Sequence, residues 1–192
     1  MGLYVHSLEN IPDTANRDYF IYLLDYGWEG DSLSEALDRN YNRMARLAAQ
    51  NKAVVIKGTS EHFQDEVFSW HSINGLNGDH ILPAILITNQ VPSSFRNISF
   101  DESKKESFYQ ENENLKLILI PLKKFCNNSD DVISMINQIF DDITQQKDLS
   151  GFEVLRQIKK EKRGSRFDSI ILQPNFYGLG IDLKKLFGIK EK

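Results

Sequence analysis

The stretch Asp79 to Pro92, DHILPAILITNQVP, decides how the rest of the chain is read. From Ile81 to Thr88 it is one apolar run interrupted only by Pro83, the pattern of a strand buried on both faces. Such a strand needs a layer of structure above it and another below. The neighbouring segments supply candidates for both.

Asp18 to Asp25 is a second strand of the same kind, since Tyr19, Phe20, Ile21, Tyr22, Leu23 and Leu24 are apolar or β-favouring almost without alternation. The turn Tyr26 to Asp31 follows, and Ser32 with Glu35 three residues on forms a capping box. Leu33, Ala36, Leu37, Tyr41, Met44 and Ala48 recur at helical spacing, which predicts a helix to about Gln50. Ala53 to Lys57 is the next short strand. A crossover helix of that length makes the two strands parallel. Gly58, Thr59 and Ser60 open a second predicted helix through about His71, with Phe63, Val67 and Trp70 on one face. Asn74 to Asp79 reads as a loop.

Beyond Pro92 the residues from 93 to 114 are polar and read as a surface excursion. Leu115 to Leu122 returns to strand character, and Ser129, Asp130 and Asp131 start a helix striped by Val132, Ile133, Ile136, Ile139, Phe140 and Ile143. Ser150 and Glu153 begin a shorter helix, and Phe167 to Leu172 is a last strand. The expected organisation is an α/β core over residues 1–155 and a basic C-terminal extension over 156–192 that packs on it. The architecture is a sandwich of a sheet with flanking helices.

Two versions of that sandwich compete. In a doubly wound parallel sheet of the flavodoxin or Rossmann kind, the ligand edge would lie at Thr88 and Asn89. The other version rests on WEGDS, Trp28 to Ser32, between the first strand and first helix, and on Pro83 at the head of the third apolar strand. Over about residues 18–147 this arrangement resembles the thioredoxin-like fold, whose redox motif Trp-Cys-Gly-Pro-Cys and cis-proline hold those two places. The resemblance implies a mixed sheet and a cis bond at Pro83. It also implies the loss of the family's chemistry, because Glu29 and Ser32 stand where the two cysteines would be and no thiolate is available.

Composition narrows the function classes. The single cysteine, Cys126, excludes a disulfide framework and a Cys-x-x-Cys site, which fits a reducing cytoplasm. No leader is visible at Met1, no run approaches the roughly 18 apolar residues of a membrane helix, and the mean hydropathy is -0.41. A soluble, cytoplasmic protein with no membrane association is expected. The net charge of -4 divides unevenly: residues 156–192 hold 10 basic and 4 acidic side chains, leaving 13 and 23 in residues 1–155. The extension is thus +6 and the body -10.

Candidate chemistry is sparse. His62 and Glu66 stand at i and i+4 of the second predicted helix and could work as an acid–base pair on a nucleotide or nucleic acid; the same spacing also serves an ordinary helical pair. Asp25, Glu29, Asp31 and Asp38 crowd the first strand's end, where clustered carboxylates perturb one another, although Asp31 is equally a helix cap. Lys57 and Thr59 at a helix start suggest a phosphate contact, without the residue order of a P-loop. Lys159, Lys160, Lys162, Arg163 and Arg166 could meet nucleic acid, or an acidic protein surface. No histidine has a partner at metal-ligand spacing, and no cofactor fingerprint is present. The expected function is a non-catalytic binding or assembly component, joined to a protein partner or to itself. The alternative is a nucleotide- or nucleic-acid-directed enzyme using Glu66, His62 and the acidic strand ends.

Overall fold

In a computed structural model, residues 1–12, 16–27, 30–60, 62–71, 73–74, 81–95, 117–156, 171–172 and 181–182 are described. The strands are β1 (Gly2–Val5), β2 (Tyr19–Leu24), β3 (Ala53–Gly58), β4 (Ile73–Asn74), β5 (Ala84–Thr88), β6 (Leu117–Pro121), β7 (Ile171–Leu172) and β8 (Ile181–Asp182). The helices are α1 (Ser32–Gln50), α2 (Phe63–Trp70), the short α3 (Leu122–Phe125) and α4 (Ser129–Thr144). The main sheet has the order β1-β3-β2-β5-β6-β7, and β4 pairs separately with β8. β3 is parallel to both β1 and β2, whereas β5 is antiparallel to β2 and β6 to β5. The protein is therefore a mixed α/β sheet with flanking helices, not an all-parallel one.

Every residue of β2, β5 and β6 is buried, which is why these segments lack polar alternation. Their side chains still alternate in space, as a strand's period of two requires. Ile21, Leu23, Val55, Ile85, Ile87, Ile118 and Ile120 point to one core, filled from α1 by Leu37, Tyr41 and Met44 and from α4 by Val132, Ile136 and Ile139. Phe20, Tyr22, Leu24, Val54, Ile56, Leu86 and Leu119 face a second core closed by Phe63 and Val67 of α2 and by Leu8 and Ile11. Burial of each such side chain stabilises the fold by roughly 1.5–3 kcal/mol, so a two-sided sheet is the cheapest place for these runs.

Several boundaries move for local reasons. Asp31, not Ser32, caps α1, because its carboxylate accepts from Leu33 N at 3.0 Å and Ser34 N at 3.4 Å. Asn128, not Ser129, caps α4, accepting from Asp131 N at 3.0 Å. The second helix begins at Phe63, not near Gly58. Its expected opening residues are used elsewhere: Thr59 N and Oγ1 both donate to Val5 O, at 2.9 and 3.2 Å, and Ser60 Oγ donates to His6 O. Gly58 passes so close to the Phe63 ring that an added Cβ would overlap it, so only glycine fits this crossing. The capping box at Ser150 does not form; Leu149–Gly151 is a 3-10 turn, followed by a helical turn over 153–156.

The first residues are the main surprise. Gly2–Val5 forms an edge strand on β3, although only Leu3 to Val5 and Leu8 are apolar there. Ile73–Asn74, part of which was expected as loop, pairs in parallel with Ile181–Asp182. Leu82–Pro83 is a cis peptide bond. Most of the expected excursion at 93–114 lies outside the described residues.

Candidate active edge at the strand ends

The carboxyl ends of β2 and β3 and the head of β5 meet at one edge of the sheet. Antiparallel register places Leu24 opposite Ala84, so Pro83 lies beside the turn that leaves β2. Asp25 begins that turn, and both hydrogen bonds to its carboxylate fall on Oδ1, from Gly27 N at 2.9 Å and Ser34 Oγ at 2.9 Å. Gly27 and Gly30, with φ of 71° and 81°, supply the left-handed conformations that bring the chain back to α1. The backbone carbonyl of Asp25 accepts from Gln64 Nε2 of α2. At the same edge the exposed Lys123 of α3 places its Nζ 3.2 Å from Asp31 Oδ2. Burial opposes ionisation of Asp31, but the Lys123 ammonium and the N–H groups of Leu33 and Ser34 outweigh it and hold its carboxyl below the ordinary value.

Each candidate side chain has a definite place. Glu66 accepts from Ser7 Oγ at 2.7 Å through one oxygen and from Leu8 N at 2.9 Å through the other. His62 occupies the N-cap position of α2 without a side-chain cap bond and is exposed, so the two residues share a helix start but Glu66 is committed to the N-terminal segment. Lys57 is ion-paired with Asp38 of α1, and Thr59 is tied to Val5. The structure thus gathers Asp25, Asp31, Asp38 and Lys57 at one edge and holds Glu66 on the opposite side of α2's first turn, against Ser7. Glu29 and the basic residues Lys159, Lys160, Lys162, Arg163 and Arg166 lie outside the described residues.

Glu66 acts as a brace, and its removal has a defined consequence. Glu66→Ala is expected to lower stability by about 1–2 kcal/mol, because the Leu8 N–H, on a residue only 1% exposed, loses a charged acceptor. Faster amide hydrogen exchange at Leu8 together with a lower denaturation midpoint would bear this out. Unchanged protection at Leu8 would refute it.

Sequence reading passed over two features. Gln64 is 6% exposed and lines a cleft with Leu23, Asp25, Leu37, Asp38, Lys57 and Gly58. The available signal was a polar residue on the apolar stripe of α2. The other feature is His71, wholly buried against Tyr22 and Phe95, with ring centroids 5.3 and 4.4 Å away. Its Nδ1 is 2.8 Å from Val67 O, while Nε2 and the Tyr22 hydroxyl have no hydrogen-bond partner among the described residues.

No cluster of three or more His, Cys, Asp or Glu suited to a metal occurs among the described residues, and no helix there is long and apolar enough to cross a membrane. No protein-family model, curated protein or solved structure matches the chain. Fold and edge define a class only: a mixed α/β protein whose strand-end carboxylates are engaged by helix starts and by neighbouring cations.

Proposed function

We propose that the chain is a thioredoxin-like scaffold without dithiol chemistry, working in the cytoplasm as a non-catalytic binding or assembly component of a multi-protein system. The fold reading is supported by the order β3-β2-β5-β6, the antiparallel β5 and β6, and the cis Leu82–Pro83 bond beside the β2 exit. The functional reading is carried by one observation: among the described candidates, the carboxylates Asp25, Asp31 and Glu66 are engaged in holding the fold. Asp31 caps α1 and pairs with Lys123, Asp25 binds Gly27 and Ser34, and both oxygens of Glu66 hold the N-terminal segment. The thiol of Cys126 is no substitute nucleophile, since burial first and Asp131 second push it up to about 12.

An interaction surface fits this reading. β1 ends the strand order among the described residues, and Tyr4, 58% exposed, packs tilted against Tyr41 with centroids 4.5 Å apart. Val55 N donates to Met1 O and Thr59 N to Val5 O, so by alternation the backbone groups of Tyr4 point away from β3. An extended segment of a partner can add there as a further strand.

Tyr4→Pro removes that outward N–H without breaking the β1–β3 ladder, since proline is tolerated on edge strands. The wild-type chain from its native host is expected to elute with a stoichiometric partner, or as a self-assembly, above the monomer mass. The variant is expected to lose it while keeping its melting temperature. A wild-type chain that elutes as a lone monomer, or turnover from a nucleotide and NAD⁺ panel that Glu66→Gln abolishes, would overturn the reading.

A further inference from the structure

We infer that β1 pairs with β1 of a second copy of this chain, antiparallel and centred on Leu3. The inference rests on the reading of that edge as an interaction surface and names its occupant. Met1 N donates to Ala53 O, Val55 N to Met1 O and Thr59 N to Val5 O. Met1 and Val5 therefore spend their backbone groups on β3, and by alternation Leu3 does the same. Gly2 and Tyr4 are left facing outward. Outward residues placed symmetrically about Leu3 form a pattern that complements itself. In an antiparallel pair about Leu3, Gly2 of each copy stands opposite Tyr4 of the other, and the outward N–H and C=O groups of both residues are satisfied.

The side chains select the same register. A Cβ on Gly2 would lie 2.7 Å from both Tyr41 Oη and Ala45 Cβ, so only glycine lets β1 lie against α1. That bare position is also where a ring from a neighbouring strand fits without meeting a side chain. Residues directly opposite share a face, so Tyr4 of the second copy arrives on the α1 face, over Gly2. Ala45 and, one turn on, the exposed Ala49 are small enough to admit it. Tyr4 is the one large apolar side chain exposed among the described residues, and this register covers it. Tyr41 is only 4% exposed, and its hydroxyl beside Gly2 has no hydrogen-bond partner among the described residues. On the other face Leu3, half-buried against the second core, meets Leu3 of the second copy. No residue of Gly2–Val5 is charged, so the pairing sets no like charges opposite each other. Edge strands kept single usually carry a lysine, a proline or a bulge, and β1 has none of these.

Four residues a side make a small interface, so the dimer depends on concentration. The test is sedimentation of the purified chain alone, up to about 1 mM. A reversible monomer–dimer equilibrium is expected, with amide exchange at Gly2 and Tyr4 slowing as the dimer forms. Tyr4→Ser keeps the backbone donor but loses the ring over glycine on both sides, and is expected to raise Kd about tenfold. Tyr4→Pro is expected to abolish the dimer. The register has its own test, because Leu3 and its counterpart form a non-hydrogen-bonded pair with Cα atoms about 4.5 Å apart, close enough for a disulfide. Oxidised Leu3→Cys is expected to run as a covalent dimer, and Leu3→Cys/Tyr4→Pro as a monomer. A purified chain that stays monomeric throughout, or a dimer that Tyr4→Pro leaves intact, would overturn the inference. Should the chain from its host then still elute with a different protein that Tyr4→Pro releases, the wider reading stands and only the second copy is wrong; should it elute alone, both fail.

Discussion

Lys147→Met is expected to destabilise the protein by about 3 kcal/mol, the typical cost of stranding one member of a buried ion pair. Asp142 of α4 is wholly buried, and its carboxylate accepts from Lys147 Nζ at 2.6 Å and from Glu153 N at 2.6 Å. The lysine side chain is 29% exposed and loses little by turning to water, whereas Asp142 cannot follow it. The pair also anchors what lies next to it. Tyr19 Oη donates to Lys147 O at 2.6 Å, and Phe152, packed on the Tyr19 ring, seals the core under α1 and α4. Thermal unfolding followed by circular dichroism should show a fall of roughly 6–12 °C for a chain of this size. The double variant Asp142→Asn/Lys147→Met should recover much of that loss, because an amide still accepts from Glu153 N but carries no charge. A single variant within about 0.5 kcal/mol of wild type would mean that the pair is not desolvated as described.

His71 is expected to make the fold acid-sensitive. Burial, only partly offset by the hydrogen bond to Val67 O, lowers its pKa from 6.5 to about 4. The folded chain therefore binds fewer protons at this site than the unfolded chain. Stability from this residue is complete above about pH 6.5 and falls as the pH drops toward 4, by about 3 kcal/mol in all. Among the described residues, the groups in contact with its ring are the Tyr22 and Phe95 rings and the Val67 carbonyl, and none of these is a carboxylate that would stabilise an imidazolium. His71→Phe suits these ring neighbours and cannot titrate. Urea denaturation of both forms between pH 7 and pH 4 should show the wild type losing about 3 kcal/mol more than the variant. Parallel pH profiles would show that His71 charges without unfolding its core.

The strands and helices of the core were legible because their signals are local. β2, β5 and β6 are apolar from end to end, and α1 and α4 carry stripes of period 3.6, so their existence and their burial follow from side-chain spacing alone. Caps were legible only to within a residue. Asp31 and Ser32 can both cap, and the choice depends on which side chain reaches the free N–H groups once the turn through Gly27 and Gly30 has formed. The edge strand β1 carried too few apolar residues to be seen, since much of what holds it is pairing to β3.

The candidate site divides in the same way. The crowding of Asp25, Asp31 and Asp38 after the first strand is a matter of sequence, and so is the absence of a second cysteine. That Glu66 reaches back to Ser7 and Leu8 is not, because those residues are 58 and 59 positions away and come together only when β1 docks beside β3. The buried amide of Gln64 likewise acquires a meaning only against the Asp25 carbonyl.

By itself, then, the run from Ile81 to Thr88 determined that this protein has a sheet covered on both faces, because an apolar strand cannot be left in water. Only the tertiary structure decided that this strand runs antiparallel to β2 and enters through a cis bond at Pro83. Direction and peptide geometry depend on which neighbours supply the hydrogen bonds, and those neighbours are distant in sequence.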